Sequence, residues 1–324
     1  MAAHDGVKQR VTAATITGIG TAVPEARLTN AELEARLDTS DEWIVARTGI
    51  RERRVAAPSE TSGTLAVAAS AAAIKDAGLV PDDVDLLVVA TTTPDQALPQ
   101  TSALVHEGLG LRCGAFDVGA ACAGFVHGLV VGATLLDAGD LDAVVVVGSE
   151  TLTRIVDPDD RSTVSLFGDG AAAVVLRPAA AGYGLQAWDF GCDGSASSIL
   201  AIPPGNQFIQ MDGQEVFRRA VRAVTASAAN ALRTAAVIAS DVDLFVPHQA
   251  NVRIINLAAQ RLGIRPARTM VNVDRYGNTS AASVPLALAE AVDNGRVDDG
   301  DVVLLSGFGA GMAWASAVLR WGGA

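Results

Sequence analysis

The sequence predicts a layered α/β protein built from two duplicated halves. Ala73–Ala90 (AIKDAGLVPDDVDLLVVA) aligns without a gap on Ala231–His248 (ALRTAAVIASDVDLFVPH), at an offset of 158 residues and with seven of eighteen positions identical. At the same offset, Ala143–Val147 (AVVVV) falls on Asp301–Leu305 (DVVLL). Both are apolar β-branched runs suited to a central strand buried on two faces. A third pair, Ala171–Arg177 (AAAVVLR) and Ser316–Arg320 (SAVLR), closes each half. Three matches in one order favour duplication over chance similarity between two helix–strand units.

Each half then runs strand, helix, strand, helix, strand, helix and two final strands, an alternation that implies a mixed sheet covered by helices. The boundary falls near Pro178–Gly184, where Ala, Gly and Pro cluster, and divides residues 1–178 from residues 179–324. Two such halves packed face to face make five layers, α/β/α/β/α. Open α/β sheets bind ligands at the carboxyl ends of their strands. In the first half the third strand ends at Cys122. In the second half the strand Leu244–Val246 ends at Pro247-His248, and a third strand, Thr269–Val273, leads to Tyr276-Gly277-Asn278.

Composition narrows the class. A chain of 324 residues buries a large core, and with 50% apolar but only 4% aromatic residues that core is built from Ala, Val, Leu and Ile. The net charge of −12 argues against general nucleic-acid or anionic-membrane binding, while leaving room for an acidic partner on a local basic patch. Three cysteines (Cys113, Cys122, Cys192) form neither a disulfide framework nor a metal-ligand pattern, so no metal is expected and the compartment reads as reducing. The segment Met1–Arg10 carries charges where a signal peptide needs an apolar stretch. No run of about 18 uncharged apolar residues is read as membrane-spanning. The expectation is a cytoplasmic protein.

Cys122 is the most informative residue. It lies in Asp117–Phe125 (DVGAACAGF), where a strand passes through small residues into an amphipathic helix. A thiol there sits at the positive end of the helix dipole, which favours thiolate. The small neighbours leave room for a substrate carbonyl. Among the histidines, His4 is near the terminus, His106 reads as a helix-surface residue and His127 falls on the helix after Cys122. Only His248, in FVPHQANVR, has a strand-end setting. Asn278, in GNTSAAS, serves as a turn or cap residue on a bland reading, but stands opposite Cys122 in the duplicated frame. Gly307–Gly311 (GFGAG) reads as a tight turn or as a backbone amide aimed at a developing oxyanion.

These motifs resemble the β-ketoacyl-[acyl-carrier-protein] synthase III family of thiolase-superfamily condensing enzymes. The likeness runs through Thr39–Arg53 (TSDEWIVARTGIRER), Ala120–Phe125 (AACAGF), Phe167–Ala171 (FGDGA), Val246–Arg253 (VPHQANVR), Gly277–Pro285 (GNTSAASVP) and Gly307–Gly311 (GFGAG). It implies the thiolase-like fold, an obligate homodimer and no cofactor, with acyl-CoA and malonyl-[acyl-carrier protein] as substrates. It implies that Cys122 takes the acyl group as a thioester, and that His248 and Asn278 stabilise the enolate formed when the malonyl group loses CO2. The backbone N–H groups of Cys122 and Ala310 would form the acyl oxyanion hole, Ala310 replacing a glycine frequent in the family.

By the same resemblance Trp43 and Arg161 sandwich the adenine of CoA, with Ser162 standing where many relatives have glycine. Arg47, Thr48 and Arg253 meet phosphates and the tunnel mouth, and Asn251 binds the pantetheine arm. Gln249, Ala250, Asn251, Val252 and Arg253 fall where the family docks its carrier protein. Arg218, on a helix with Phe217, Arg219 and Arg222, adds a cationic cluster suited to an acidic partner. Leu98 corresponds to a residue that reaches the neighbouring subunit's acyl pocket. The leading function is therefore initiation of fatty-acid synthesis. A priming ketosynthase of a polyketide or other secondary pathway and an ester- or amide-forming acyltransferase are the alternatives. A silent chain-length partner fits poorly with Cys122, His248 and Asn278 all present.

Overall fold

The computed structural model describes residues 13–323; His4 and the charged segment Met1–Arg10 lie outside them. Nine strands form the two main sheets: β1 (Ala14–Ala22), β2 (Leu86–Ala90), β3 (Gly114–Val118), β4 (Val144–Thr151) and β5 (Asp169–Pro178), then β6 (Gly184–Cys192), β7 (Leu244–Pro247), β8 (Val302–Gly309) and β9 (Ala313–Arg320). The first sheet has the order β1-β5-β4-β2-β3 and the second the order β6-β9-β8-β7. In both, the last two strands pair antiparallel and the inner pair, β4 with β2 or β8 with β7, is parallel. The four strands of the second sheet follow the order of the first four of the first sheet, and β3 has no counterpart.

One strand departs from the expectation. Thr269–Val273 is not a ladder strand; Thr269 makes a single parallel bridge to Phe245 and Val273–Tyr276 is a helical turn. The cause is a side chain that takes the strand's polar groups. The Gln249 carboxamide donates to the Met270 carbonyl at 3.2 Å and accepts from the Asn272 N–H at 2.9 Å.

Seven helices matter for the layers: α1 (Asp41–Thr48), α2 (Ser62–Asp76), α3 (Thr101–Leu109), α4 (Gly124–Leu135), α5 (Gly213–Thr234), α6 (Val252–Leu262) and α7 (Ser283–Asp293). Side chains alternate across a strand, and β4 uses both faces. Val144 and Val146 join Phe125 and Leu129 of α4, Val284 and Leu288 of α7, and Val303 and Leu305 of β8 in a central core. Val145 and Val147 instead pack with Leu65, Ala69 and Ala73 of α2. The outer face of the second sheet, with Phe245, Leu304 and Val318, is covered by Val221 and Val224 of α5 and Ile254 of α6. The result is helix, sheet, paired central helices, sheet, helix.

The central position of α4 explains its composition. Ala121–Asp140 is long and apolar enough to cross a membrane, contrary to the expectation that no such stretch exists, and 61% of its most apolar window is buried inside the protein. A helix flanked by two sheets needs an apolar surface nearly all round. Two other histidines among the described residues are structural: His127 bonds the Ala123 carbonyl and stacks on Phe190 at 4.3 Å, and His106, half-buried rather than on the surface, bonds the Cys113 carbonyl.

Candidate active site

β3 delivers the chain to Cys122 through a tight corner. Ala121 has φ +45°, Ala121–Ala123 form one 3₁₀ turn, and α4 starts at Gly124. The Cys122 side chain is buried. Burial pushes its thiol up to about 12, with the Ser280 hydroxyl opposing the rise and the Glu150 charge adding to it. This reverses the expected thiolate. Rising from 9.0 to about 12 disfavours the anion by about 4 kcal/mol, more than the ~2 kcal/mol that a helix terminus supplies at most. Cys122 therefore rests as a thiol.

The second half repeats the corner. Ser280 also has φ +45°, Ser280–Ala282 form a 3₁₀ turn, and α7 follows. The two corners face each other: a Cβ added at Gly124 would lie 3.8 Å from the Ala281 Cβ. Asn278 enters this corner with its backbone clamped on both sides. Its N–H donates to the Leu166 carbonyl at 2.8 Å, and its carbonyl accepts from the Gly168 N–H at 3.0 Å. Its side-chain Oδ1 accepts from the Ser280 N–H at 2.8 Å, which fixes the carboxamide and directs its Nδ2 donor away from that amide. Gly277, at φ +66°, lies over the buried Arg53, which donates to the Leu28 and Ser165 carbonyls and to Asn30.

His248 follows β7, and its N–H donates to the Ser306 carbonyl of β8 at 2.7 Å. Its ring is buried, edge-on to Phe308 at 5.2 Å, and neither ring nitrogen has a partner among the described residues. Burial pushes its pKa down to about 3, so the imidazole is neutral and offers one N–H and one lone pair. The β8 strand end that carries Phe308 also backs Cys122. A Cβ at Gly309 would lie 2.5 Å from the Cys122 backbone nitrogen, and one at Gly307 would lie 2.9 Å from the Ala123 Cα. Only glycine permits this approach. Ala310 opens the next turn, Ala310–Met312. The Cys122 corner is thus wedged between the turn that follows Asn278 and the strand that supports His248.

Sequence reasoning missed Glu150, which is fully buried at the end of β4. Its carboxylate accepts from the Thr92 N–H and hydroxyl, from the Thr93 hydroxyl at 2.6 Å and from the Ala281 N–H at 3.4 Å. It forms no ion pair among the described residues. Burial pushes its pKa up against these donors. An acid closing the apolar run AVVVVGSE was the signal available in the sequence.

Around the entrance, several expected contacts are already committed to the fold. The Trp43 ring has the Arg47 guanidinium at 4.3 Å and that of Arg161 at 5.2 Å. A planar ring between Trp43 and Arg161 needs about 7 Å, twice van der Waals contact, so the slot is closed; Arg161 bonds Asp38 instead. Thr48 presents no free hydroxyl, because it is buried, donates to the Ile44 carbonyl and accepts from the Ile50 N–H. Asn251 caps α6 by accepting from the Arg253 N–H and ties it to α1 by donating to the Arg47 carbonyl. Gln249 is buried and holds Pro247, Met270 and Asn272, so it is not a surface contact. Ala250 and Val252 are half-buried and Arg253 is exposed, its guanidinium 5.4 Å from the Phe217 ring. Arg218 is exposed but paired with Glu215. Leu98 is 78% exposed.

Comparison with known proteins identifies the family and the fold. Residues 116–194 match the family model for 3-oxoacyl-[acyl-carrier-protein] synthase III, and residues 232–321 match that for its C-terminal part. The β-ketoacyl-[acyl-carrier-protein] synthase III of Roseiflexus sp. is 47% identical over 323 residues, covering 95% of this chain and 98% of that protein. The crystal structure of the Thermus thermophilus synthase III superposes with a TM-score of 0.92 at 46% identity, covering 96% of this chain and 100% of the other. The priming β-ketosynthase of the R1128 polyketide pathway superposes with a TM-score of 0.91 at 38% identity, covering 96% and 97%.

Proposed function

The chain belongs to the 3-oxoacyl-[acyl-carrier-protein] synthase III family, and from that premise we propose how its residues divide the reaction. It is a condensing acyltransferase of fatty-acid synthesis that joins an acyl-CoA primer to malonyl-[acyl-carrier protein]; the polyketide and ester- or amide-forming alternatives are not favoured. The Cys122 sulfur attacks the thioester carbonyl of the primer and CoA leaves, forming the acyl-enzyme. Malonyl-carrier protein then loses CO2, and the electron pair left behind forms an enolate. The neutral His248 N–H and the Asn278 Nδ2 stabilise the enolate oxygen while its carbon attacks the acyl thioester. Backbone N–H groups of Cys122 and Ala310 serve the acyl oxyanion.

The observation that carries this division is the pair of unpartnered imidazole nitrogens, buried beside a strand that abuts the Cys122 corner. A neutral ring and a carboxamide suit charge that develops on oxygen, since neither brings a competing negative charge. The reading extends to a homodimer through β3, one of the two edge strands of the first sheet, and the exposed Leu98. Trp43, Arg47 and Arg161 would take the CoA nucleotide once Arg161 leaves Asp38. The exposed Arg222 and Arg253, with Phe217 between their helices, suit an acidic carrier protein. No resident cofactor is invoked, and three free cysteines suit a cytoplasmic, reducing compartment.

The test is release of 14CO2 from carboxyl-labelled malonyl-carrier protein with a panel of acyl-CoA primers. Release with Cys122→Ala but not with His248→Ala or Asn278→Ala is expected. Loss of acylation in the latter two, with decarboxylation kept, would overturn the division.

A further inference from the structure

The two corners of the site are equivalent, yet a side chain fills only one of them. They stand 159 residues apart: Ala121 matches Ser280, both at φ +45°, and Cys122 matches Ala281. β4 and β8 keep the same spacing, for Val144 and Val146 share the central core with Val303 and Leu305. Gly148 then matches Gly307, and each lies against the corner of the opposite half. A Cβ at Gly307 would lie 3.2 Å from the Cys122 carbonyl oxygen, and one at Gly148 would lie 2.3 Å from that of Ala281. Two residues on, the match fails. Gly309 meets the Cys122 nitrogen with no side chain, whereas Glu150 accepts from the Ala281 N–H at 3.4 Å. Glu150 thus fills, in the second corner, the place that glycine leaves free in the first for the acyl oxyanion of the proposed reaction.

Filling that place fixes the turn on which Asn278 depends. The successive N–H groups of Ser280 and Ala281 go to two side chains, Asn278 Oδ1 at 2.8 Å and Glu150. A serine at positive φ is strained and stays there only where its surroundings hold it. Glu150 is itself anchored, since it accepts from the Thr92 N–H at 3.0 Å and from the Thr93 hydroxyl at 2.6 Å. The Thr93 hydroxyl in turn accepts from the Thr151 N–H at 2.9 Å, which turns its own proton toward the carboxylate.

We propose that Glu150 is a positioning residue for Asn278: its carboxylate occupies the Ala281 N–H, holds the Ser280–Ala282 turn against β4, and so aims the Asn278 Nδ2 at the enolate oxygen. The inference rests on Asn278 stabilising that enolate. Glu150 touches no substrate and moves no proton. It acts on decarboxylation and not on acyl transfer, because the Cys122 corner is backed by Gly307 and Gly309 of the other sheet.

Glu150→Ala and Glu150→Gln test this in the full-length protein. In a Cys122→Ala background, 14CO2 release from carboxyl-labelled malonyl-carrier protein should fall by about 10²-fold with Glu150→Ala, the loss expected when a catalytic group is misplaced by about 1 Å. Glu150→Gln keeps an oxygen for the Ala281 N–H and should lose only about fivefold, the difference between a charged and a neutral acceptor. With Cys122 intact, single-turnover acyl transfer from acyl-CoA, followed by intact mass, should stay within about twofold of wild type in both. Adding Asn278→Ala to the release assay separates positioning from general support. A residue that acts through Asn278 then has nothing left to aim, so its loss should cost no more than about twofold; a merely structural residue would cost as much as before. If Glu150→Ala fails to fold, Glu150→Gln carries the same split, its fivefold loss vanishing beside Asn278→Ala. Acyl transfer falling as far as decarboxylation, a Glu150 loss undiminished beside Asn278→Ala, or full decarboxylation in the variants that fold would each overturn the positioning role. Wild-type decarboxylation in Asn278→Ala alone would instead overturn the role of Asn278 on which it rests.

Discussion

His248 should make the protein acid-labile in a way that a single substitution removes. Its imidazole is held down to about 3, against 6.5 in an unfolded chain, solely by burial. Between these values the unfolded chain binds a proton that the native state refuses, so stability rises with pH and falls as pH drops through 6.5 toward 3. The difference of 6.5 − 3 converts to about 5 kcal/mol as a ceiling, at about 1.4 kcal/mol per decade. At pH 5.0 the part already lost is about 2 kcal/mol. Urea unfolding of wild type and His248→Gln at pH 7.5 and pH 5.0 checks this. The wild type should lose about 2 kcal/mol more than the variant between the two conditions, whatever their offset at pH 7.5. Parallel losses would mean that the ring accepts a proton in the folded protein, and the neutral donor role would fall with it.

Three further substitutions probe the rest of the site. Gly309→Ala puts a methyl 2.5 Å from the Cys122 backbone nitrogen and should lower acylation by about 10²-fold with little change in carrier-protein binding, measured by single-turnover transfer and by calorimetric titration. Gln249→Ala removes a buried carboxamide with three backbone partners and should lower unfolding stability by about 2–4 kcal/mol in urea. Carrier-protein affinity, compared at equal folded fraction, should be unaltered by it. Arg253→Glu should raise KM for malonyl-carrier protein several-fold and flatten its dependence on salt, measured by steady-state condensation at two ionic strengths.

How far the sequence could be read depended on where each residue's information lies. The five layers were legible because apolar runs such as AVVVV and DVVLL need two buried faces, and because the duplicated segment set the strand order twice. Cys122 and His248 were legible because each stands where a strand gives way to a turn, whereas Asn278 follows a helical turn and was singled out by its motif and its place in the duplicated frame. Thr269–Val273 was misread because its polar groups are met by the side chain of Gln249, 21 and 23 residues before the groups it bonds, which no local pattern reveals. Gln249, Thr48 and Asn251 sit within motifs that suggest contact with substrate, but their hydrogen bonds hold the turns those motifs are made of. The state of the thiol was misjudged for a different reason. Helix direction can be read from sequence, whereas the desolvation that outweighs it depends on the opposite half of the molecule.

That last point connects the site's two chemistries. A cavity dry enough to hold the imidazole neutral is also dry enough to keep the thiol protonated, because both effects come from the same burial. Neutral groups suit enolate stabilisation, since a hydrogen bond to a developing oxyanion gains strength where water is excluded. They do not suit nucleophilic attack, which needs sulfur without its proton. A single burial therefore favours the second half-reaction and penalises the first by about 4 kcal/mol at Cys122.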